Sequence, residues 1–231
     1  NLVLLTGSSM IFLPKFEVSE VVRLIEKATV MMGVPTFYVR LLGSNDFNKE
    51  LTKSIRLFVS GSAPLLAETH KSFEAKTGHK ILERYGMTET NMNTSNPYYG
   101  LRKPGTVGQP LPGVELKIVD EEGIALKDGD VGNIFVKGKN VFNGYWNLPE
   151  KTKEDFTEDG FFKTGDLGRI DKDGYVEIVG RNKDLIISGG LNIFPKEIEL
   201  AIDQTIGVME SAVIGVVHPD FGEAVFFLSN S

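Results

Sequence analysis

The chain has 231 residues, an apolar fraction of 41% and a formal charge of −6, which allows one large domain or parts of two, with a real core. The acidic balance argues against a general nucleic-acid binder, which needs clustered Lys and Arg for phosphates, but leaves room for a local basic pocket. There are no cysteines, which excludes disulfides, thiolate nucleophiles and Cys-ligated zinc; His70, His79 and His218 are too scattered to suggest a metal cluster.

The opening stretch NLVLLTGSSMIFLP is apolar, reads with strand character, and is too short to span a bilayer, with Gly7, Ser8 and Ser9 interrupting it. With no initiating methionine, and with VFFLSNS at the other end again in strand character, the sequence reads as an internal piece of a longer protein. Its expected setting is the cytoplasm, without a membrane partner, any organellar leader lying outside this stretch.

Residues 17–30, EVSEVVRLIEKATV, place Val18, Val21, Val22, Ile25 and Ala28 on one helical face. TVMMGVP predicts a short buried strand stopped by Pro35, with Arg40 on a short helix after it. IRLFV, 55–59, predicts a second strand that runs into the small-residue loop SGSAPL. A helix is predicted over 66–77 with Gly78 as its stop, then a strand over 80–86, KILERYG. Strand, loop, helix, strand is a βαβ unit with a parallel sheet. The loops SGSAPL and YGMTET then both follow C-terminal strand ends, where ligands bind in open α/β sheets, which is a reason to treat them as one site.

From about 100 to 180 the texture changes to short alternating stretches punctuated by Gly and Asp–Gly: GVELKIVDEEG, GDVGNIFVKG, EDGFFKTGD and KDGYVEIVG. These are hairpin signals. After GRNKDLIISGG, Pro195 opens a helix, KEIELAIDQT, that Gly207 closes, and SAVIGVV is a further strand. The expected class is α/β: an α/β sheet subdomain over 1–99, a β-rich, barrel-like subdomain over 100–182, and the start of a small α+β domain over 183–231.

Four motifs offer chemistry. In GSAPL, Gly61 lets the chain turn and lets a ligand approach closely, although a plain strand-to-helix connection with Pro64 explains it about as well. In YGMTE, Tyr85 offers a flat face for a base, Thr88 a hydroxyl for a phosphate and Glu89 a carboxylate for Mg²⁺, a usual way to hold a nucleoside triphosphate. In TGD, Asp166 suits two ribose hydroxyls, while spacing alone favours a simple turn at Gly165–Asp166. In GRNKD and SGGLN, Arg181 could reach a phosphate or ribose and Gly189–Gly190 could let a thin ligand pass; a solvated linker and a Gly–Gly turn are the plain alternatives.

The order GSAPL, RYGMTET, FFKTGDLG, GRNKDLIISGGLNIFPKEIE resembles the adenylate-forming superfamily: acyl-CoA synthetases, luciferases and peptide-synthetase adenylation domains. VPTFYVRLL, RYGMTETNMNTSNP and GYWNLPEKT are most similar to the malonyl-CoA synthetases within it. The resemblance implies an acid–thiol ligase in which a carboxylate attacks the α-phosphate of ATP and the thiol of coenzyme A then attacks the acyl-AMP. It implies that Gly61, Ser62, Ala63 and Pro64, with Glu83, Arg84, Tyr85 and Gly86, cradle adenine. Thr88 contacts the α-phosphate, Glu89 holds Mg²⁺, and Asp166 binds the ribose with help from Arg181. Lys183 matches the hinge, and Gly189 and Gly190 line the path of the pantetheine arm. The phosphate loop and the catalytic lysine of the family would lie before residue 1 and after residue 231, so poor activity is expected of this stretch by itself. Arg84, and with it Arg40, are candidates for the far carboxylate of a small diacid such as malonate or methylmalonate; the alternatives are an ion pair of Arg84 with Glu83 or Asp166, and a surface position for Arg40. Another short-chain acyl-CoA synthetase, a peptide-synthetase domain and a non-catalytic nucleotide-binding piece are the competing functions. The oligomeric state is not legible.

Overall fold

The computed structural model describes residues 2–205, 207–208 and 210–230; Asn1 and Ser231, at the ends of the two terminal stretches, lie outside the described residues. The chain divides into two compact units, the first ending at Glu83 and the second beginning at Arg84.

The first unit runs α1 (Leu2–Thr6), α2 (Val18–Leu24), β1 (Val30–Gly33), α3 (Pro35–Leu42), β2 (Leu57–Ser60), α4 (Ala67–Thr77) and into β3 (Ile81–Tyr85). The opening stretch is thus helical where a strand was expected: leucines propagate a helix well, and Gly7 ends it in the left-handed region at φ 62°. The helix expected over 17–30 stops at Leu24 and tightens into a 3-10 turn, Ile25–Lys27, which frees Thr29 and Val30 to lead into the sheet. Val30 to Gly33 pair in parallel with Leu57 to Ser60, and Phe58, Val59 and Ser60 in parallel with Ile81, Leu82 and Glu83. This is the predicted βαβ arrangement, with α4 closed by Gly78 in the left-handed region at φ 76°. Its core is aromatic: Tyr38, Phe47, Phe58 and Phe73 are fully buried, and the Tyr38 hydroxyl donates to the Val59 carbonyl at 2.6 Å. Burying each phenylalanine contributes roughly 1.5–3 kcal/mol.

In the second unit the last two residues of β3 pair antiparallel with β4 (Thr94–Ser95), and β4 with β5 (Gln109–Pro110). The four hairpin segments then form an antiparallel meander: β6 (Val114–Val119), β7 (Gly132–Gly138), β8 (Phe162–Ile170) and β9 (Val176–Arg181), in the order β6-β7-β8-β9 with no closing pair among the described residues. Ile118, Ile134 and Val136 fill its buried face. Between β7 and β8 lies a helix that periodicity does not reveal, α5 (Pro149–Asp155), too short for a pattern and signalled only by proline at its start. A second sheet, β11-β10-β13-β12, is built from β10 (Ile186–Ser188), β11 (Leu191–Ile193), β12 (Glu210–His218) and β13 (Gly222–Asn230), with α6 (Pro195–Ile202) between β11 and β12. α6 ends at Ile202 and not at Gly207 as expected, its last backbone bond running from the Asp203 amide to the Glu199 carbonyl. No helix among the described residues is long and apolar enough to cross a membrane.

Candidate functional site

The second unit gathers three motifs that are far apart in sequence. Asp166 reaches its position through an irregularity in β8. Leu167 pairs with Asn133 and Lys163 with Phe135, so Thr164, Gly165 and Asp166 stand opposite the single residue Ile134. Thr164 pins this bulge by donating to the Ile134 carbonyl at 2.8 Å and accepting the Asp166 amide at 3.1 Å. Gly165 takes the left-handed conformation that the bulge needs, φ 74°. Gly165–Asp166 is therefore a kink within a strand, not a turn between two.

Asp166 is buried, 4% exposed as a residue. It accepts the Tyr85 hydroxyl at 2.5 Å on one oxygen, and Arg181, its antiparallel register partner on β9, sits 3.0 Å from the other. Burial holds the Asp166 carboxyl above the usual carboxylate range, against the opposing pull of Tyr85 and Arg181. Burial and the adjacent Asp166 charge push the Tyr85 phenol strongly up, so it stays a donor. Arg181 is the exposed member of the three.

Tyr85 leads into the loop that carries Thr88 and Glu89. Gly86 is required there by the loop itself: a Cβ would sit 1.8 Å from the Asn91 carbonyl oxygen. Thr88 is exposed and Glu89 half-buried. Glu89 makes no salt bridge among the described residues; its carboxylate accepts the Tyr145 hydroxyl at 3.3 Å and its backbone carbonyl accepts the Phe142 amide at 2.8 Å. Burial, then the Glu89 charge, push the Tyr145 phenol up to about 12. Arg84 is half-buried and its Nη1 donates to the Met92 sulfur at 3.1 Å, a weak acceptor; no salt bridge engages it among the described residues. Asp166 is taken by Arg181 instead.

The remaining candidates lie apart from these bonds. In the first unit, Gly61 is buried while Ser62, Ala63 and Pro64 are exposed, and Ser62 holds φ 70°, an unfavourable setting for a residue with a Cβ. The Glu83 side chain is turned inward, 3.3 Å from Nδ1 of buried His70. Arg40 is exposed at the end of α3. In the second unit, Lys183 lies exposed in a 3-10 turn, Asn182–Asp184, between β9 and β10. Gly189 and Gly190, at φ 57° and 81°, are the two-residue turn of the β10–β11 hairpin, where Ser188 faces Leu191. No group of three or more acidic, His or Cys side chains fit to hold a metal occurs among the described residues.

A model of the AMP-binding enzyme family matches residues 1–146. The chain belongs to that family. A malonate–CoA ligase of Arabidopsis thaliana is 46% identical over 235 residues, covering 93% of this chain and 38% of that protein. MatB from Rhodopseudomonas palustris, solved with ATP bound, is 62% identical with a TM-score of 0.95, over 98% of this chain and 45% of its own. A malonyl-CoA ligase in a ternary product complex with methylmalonyl-CoA and AMP is 44% identical with a TM-score of 0.70, over 97% of this chain and 50% of its own. The chain thus spans about two-fifths to half the length of these relatives.

Within an AMP-binding chain the Tyr85, Asp166 and Arg181 cluster has a flat ring, a carboxylate and a cation at one place. Sequence reasoning missed Tyr145, although it lies within the GYWNLPEKT stretch that carries part of the family resemblance. A phenol 56 residues away in sequence carries no local sign that it will meet Glu89.

Proposed function

We propose that the protein carrying this chain is an ATP-dependent acid–thiol ligase that joins a small diacid, malonate or methylmalonate, to coenzyme A through an acyl-AMP. The observation that carries the diacid is Arg84: a half-buried guanidinium one residue before the nucleotide tyrosine, bonded to a thioether and with no salt-bridging carboxylate among the described residues. An arginine so placed favours a substrate that brings its own second carboxylate, and a monoacid would leave its charge without a counterion. Arg40, being exposed, ranks behind it as a candidate.

In this reading Tyr85 gives its ring to adenine and Asp166 accepts the ribose hydroxyls, with Arg181 beside it. Thr88 donates to the α-phosphate. Glu89 fits a Mg²⁺ ligand: it is a hard oxygen donor, half-buried and without a salt bridge among the described residues, and Mg²⁺ takes few protein carboxylates alongside phosphate oxygens. When bound, the ion supplies charge neutralisation at the phosphates. No side-chain nucleophile is needed, because the acid itself attacks. The family resemblance adds the backbone of Gly61 to Pro64 and of Glu83 and Gly86 as adenine contacts, Lys183 as the hinge between a domain ending near 182 and one starting there, and Gly189 and Gly190 as the pantetheine path.

The test is an acid screen on the full-length protein with ATP and coenzyme A, following AMP release. Malonate or methylmalonate should be preferred over acetate, and Arg84→Ala should raise the diacid KM roughly 10- to 100-fold while sparing that of ATP. Equal use of acetate, or equal loss for diacid and ATP in Arg84→Ala, overturns the diacid assignment.

A further inference from the structure

Six hydrogen bonds tie residues 140–145 to the loop that carries Glu89, each joining groups about fifty positions apart in sequence, one of them from Nδ2 of Asn140 to Oδ1 of Asn93 at 3.2 Å. Nδ2 of Asn140 donates to the Thr90 carbonyl at 2.7 Å and the Met92 carbonyl at 3.2 Å, and Nδ2 of Asn91 donates back to the Asn140 carbonyl at 3.0 Å. The Phe142 amide holds the Glu89 carbonyl, and the Tyr145 hydroxyl holds its carboxylate. The segment is itself braced. A Cβ on Gly138 would sit 2.4 Å from Asn140 Oδ1, and one on Gly144 2.6 Å from Thr152 Cγ2, so both glycines make room for these contacts. Thr152 accepts the Tyr145 amide at 2.9 Å and donates to the Leu148 carbonyl at 3.0 Å, which anchors the tyrosine to the start of α5. The Tyr145 ring packs edge-on against Phe142, with centroids 4.8 Å apart. The direction of the phenol is therefore set from both its backbone and its ring.

We propose that Asn140 and Tyr145 are positioning residues for Glu89: Asn140 fixes the backbone of the loop, and Tyr145 fixes the rotation of the carboxylate that receives the cation accompanying the nucleotide. A carboxylate has about four lone-pair sites, and one taken by a phenol leaves the others aimed in a fixed direction. Without that bond the group rotates freely, and a ligand that must be ordered on binding holds its ion less tightly. The inference rests on the reading of Glu89 as the Mg²⁺ carboxylate. It also gives the GYWNLPEKT stretch a physical role, in which a glycine, a tyrosine and a threonine together present one hydroxyl.

Binding of Mn²⁺ to the full-length protein in the presence of ATP tests it, followed as the loss of free-ion EPR signal beyond that of the same Mn²⁺ and ATP without protein. The proteins compared are the parent, Tyr145→Phe, Asn140→Ala and Glu89→Gln, each with its urea midpoint. Tyr145→Phe keeps the ring and removes only the donor. It should weaken Mn²⁺ binding roughly tenfold, the low end for groups bonded to a metal-ligating carboxylate because 3.3 Å is long, with an unmoved midpoint and a diacid KM changed less than about twofold. Asn140→Ala should weaken Mn²⁺ binding and lower the midpoint together. Parent-like Mn²⁺ affinity in Tyr145→Phe, or a change in its midpoint alone, overturns the proposal. Parent-like affinity in Glu89→Gln removes the Mg²⁺ reading itself, and is distinguished from a failure of the positioning role because it arises in a different variant.

Discussion

Two loops that leave strand ends in this chain are built in opposite ways. The loop at 61–65 in the first unit is exposed at Ser62, Ala63 and Pro64, and holds Ser62 in the left-handed region. The loop at 86–93 in the second unit is packed against itself at Gly86 and bonded to residues 140–145. The difference fits the roles proposed for them: a loop that only offers backbone to a planar base can be open, whereas a loop proposed to deliver a carboxylate in one orientation gains from bracing, since an unbraced acid loses affinity through the freedom it must give up.

The contrast can be broken most severely at Gly86. Gly86→Ala puts a methyl where the Asn91 carbonyl already stands, so the loop must move; a stability loss of about 2–3 kcal/mol by urea denaturation and loss of AMP release are expected, and near-parent values would show that the loop is not tightly packed. Asp166→Asn is the next test. Because burial raises the folded-state pKa of Asp166 above its unfolded value, its ionisation costs stability at neutral pH, and that cost disappears as pH falls through the raised pKa. The asparagine variant should therefore be at least as stable as the parent at pH 7, with the difference shrinking on the acid side. Its affinity for AMP should fall about tenfold, as expected for one lost charge-assisted hydrogen bond. A less stable variant at pH 7 would mean that the Arg181 and Tyr85 contacts outweigh burial. Smallest is Ser62→Gly, which relieves the positive φ and should gain up to about 1 kcal/mol, offset in part by the freedom of glycine in the unfolded chain. Destabilisation there would reveal that the Ser62 side chain holds the loop.

Much of the fold was readable because its signals are local. The β1, β2 and β3 runs, Gly78 as a helix stop and the four Asp–Gly-punctuated strands follow from patterns of a few residues. The departures are short elements, α1 and α5, and the early ends of α2, where the chain turns to pair as β1, and of α6, where it leaves the helix for turns. In the site, Tyr85, Glu89 and Asp166 were visible as residue types in suggestive company. The inward pairing of Glu83 with His70 and the service of Tyr145 to Glu89 were not.

The amino-acid sequence alone determined which chemistry is at hand: a phenol, a hydroxyl, carboxylates and arginines set beside glycines, with no thiol and no metal cluster of histidines. Tertiary structure decided which of them meet. The bulge at Thr164 to Asp166 and the bonds from 140–145 bring together side chains separated by about 50 to 80 positions, and such contacts depend on strand register and close packing, which no local pattern encodes.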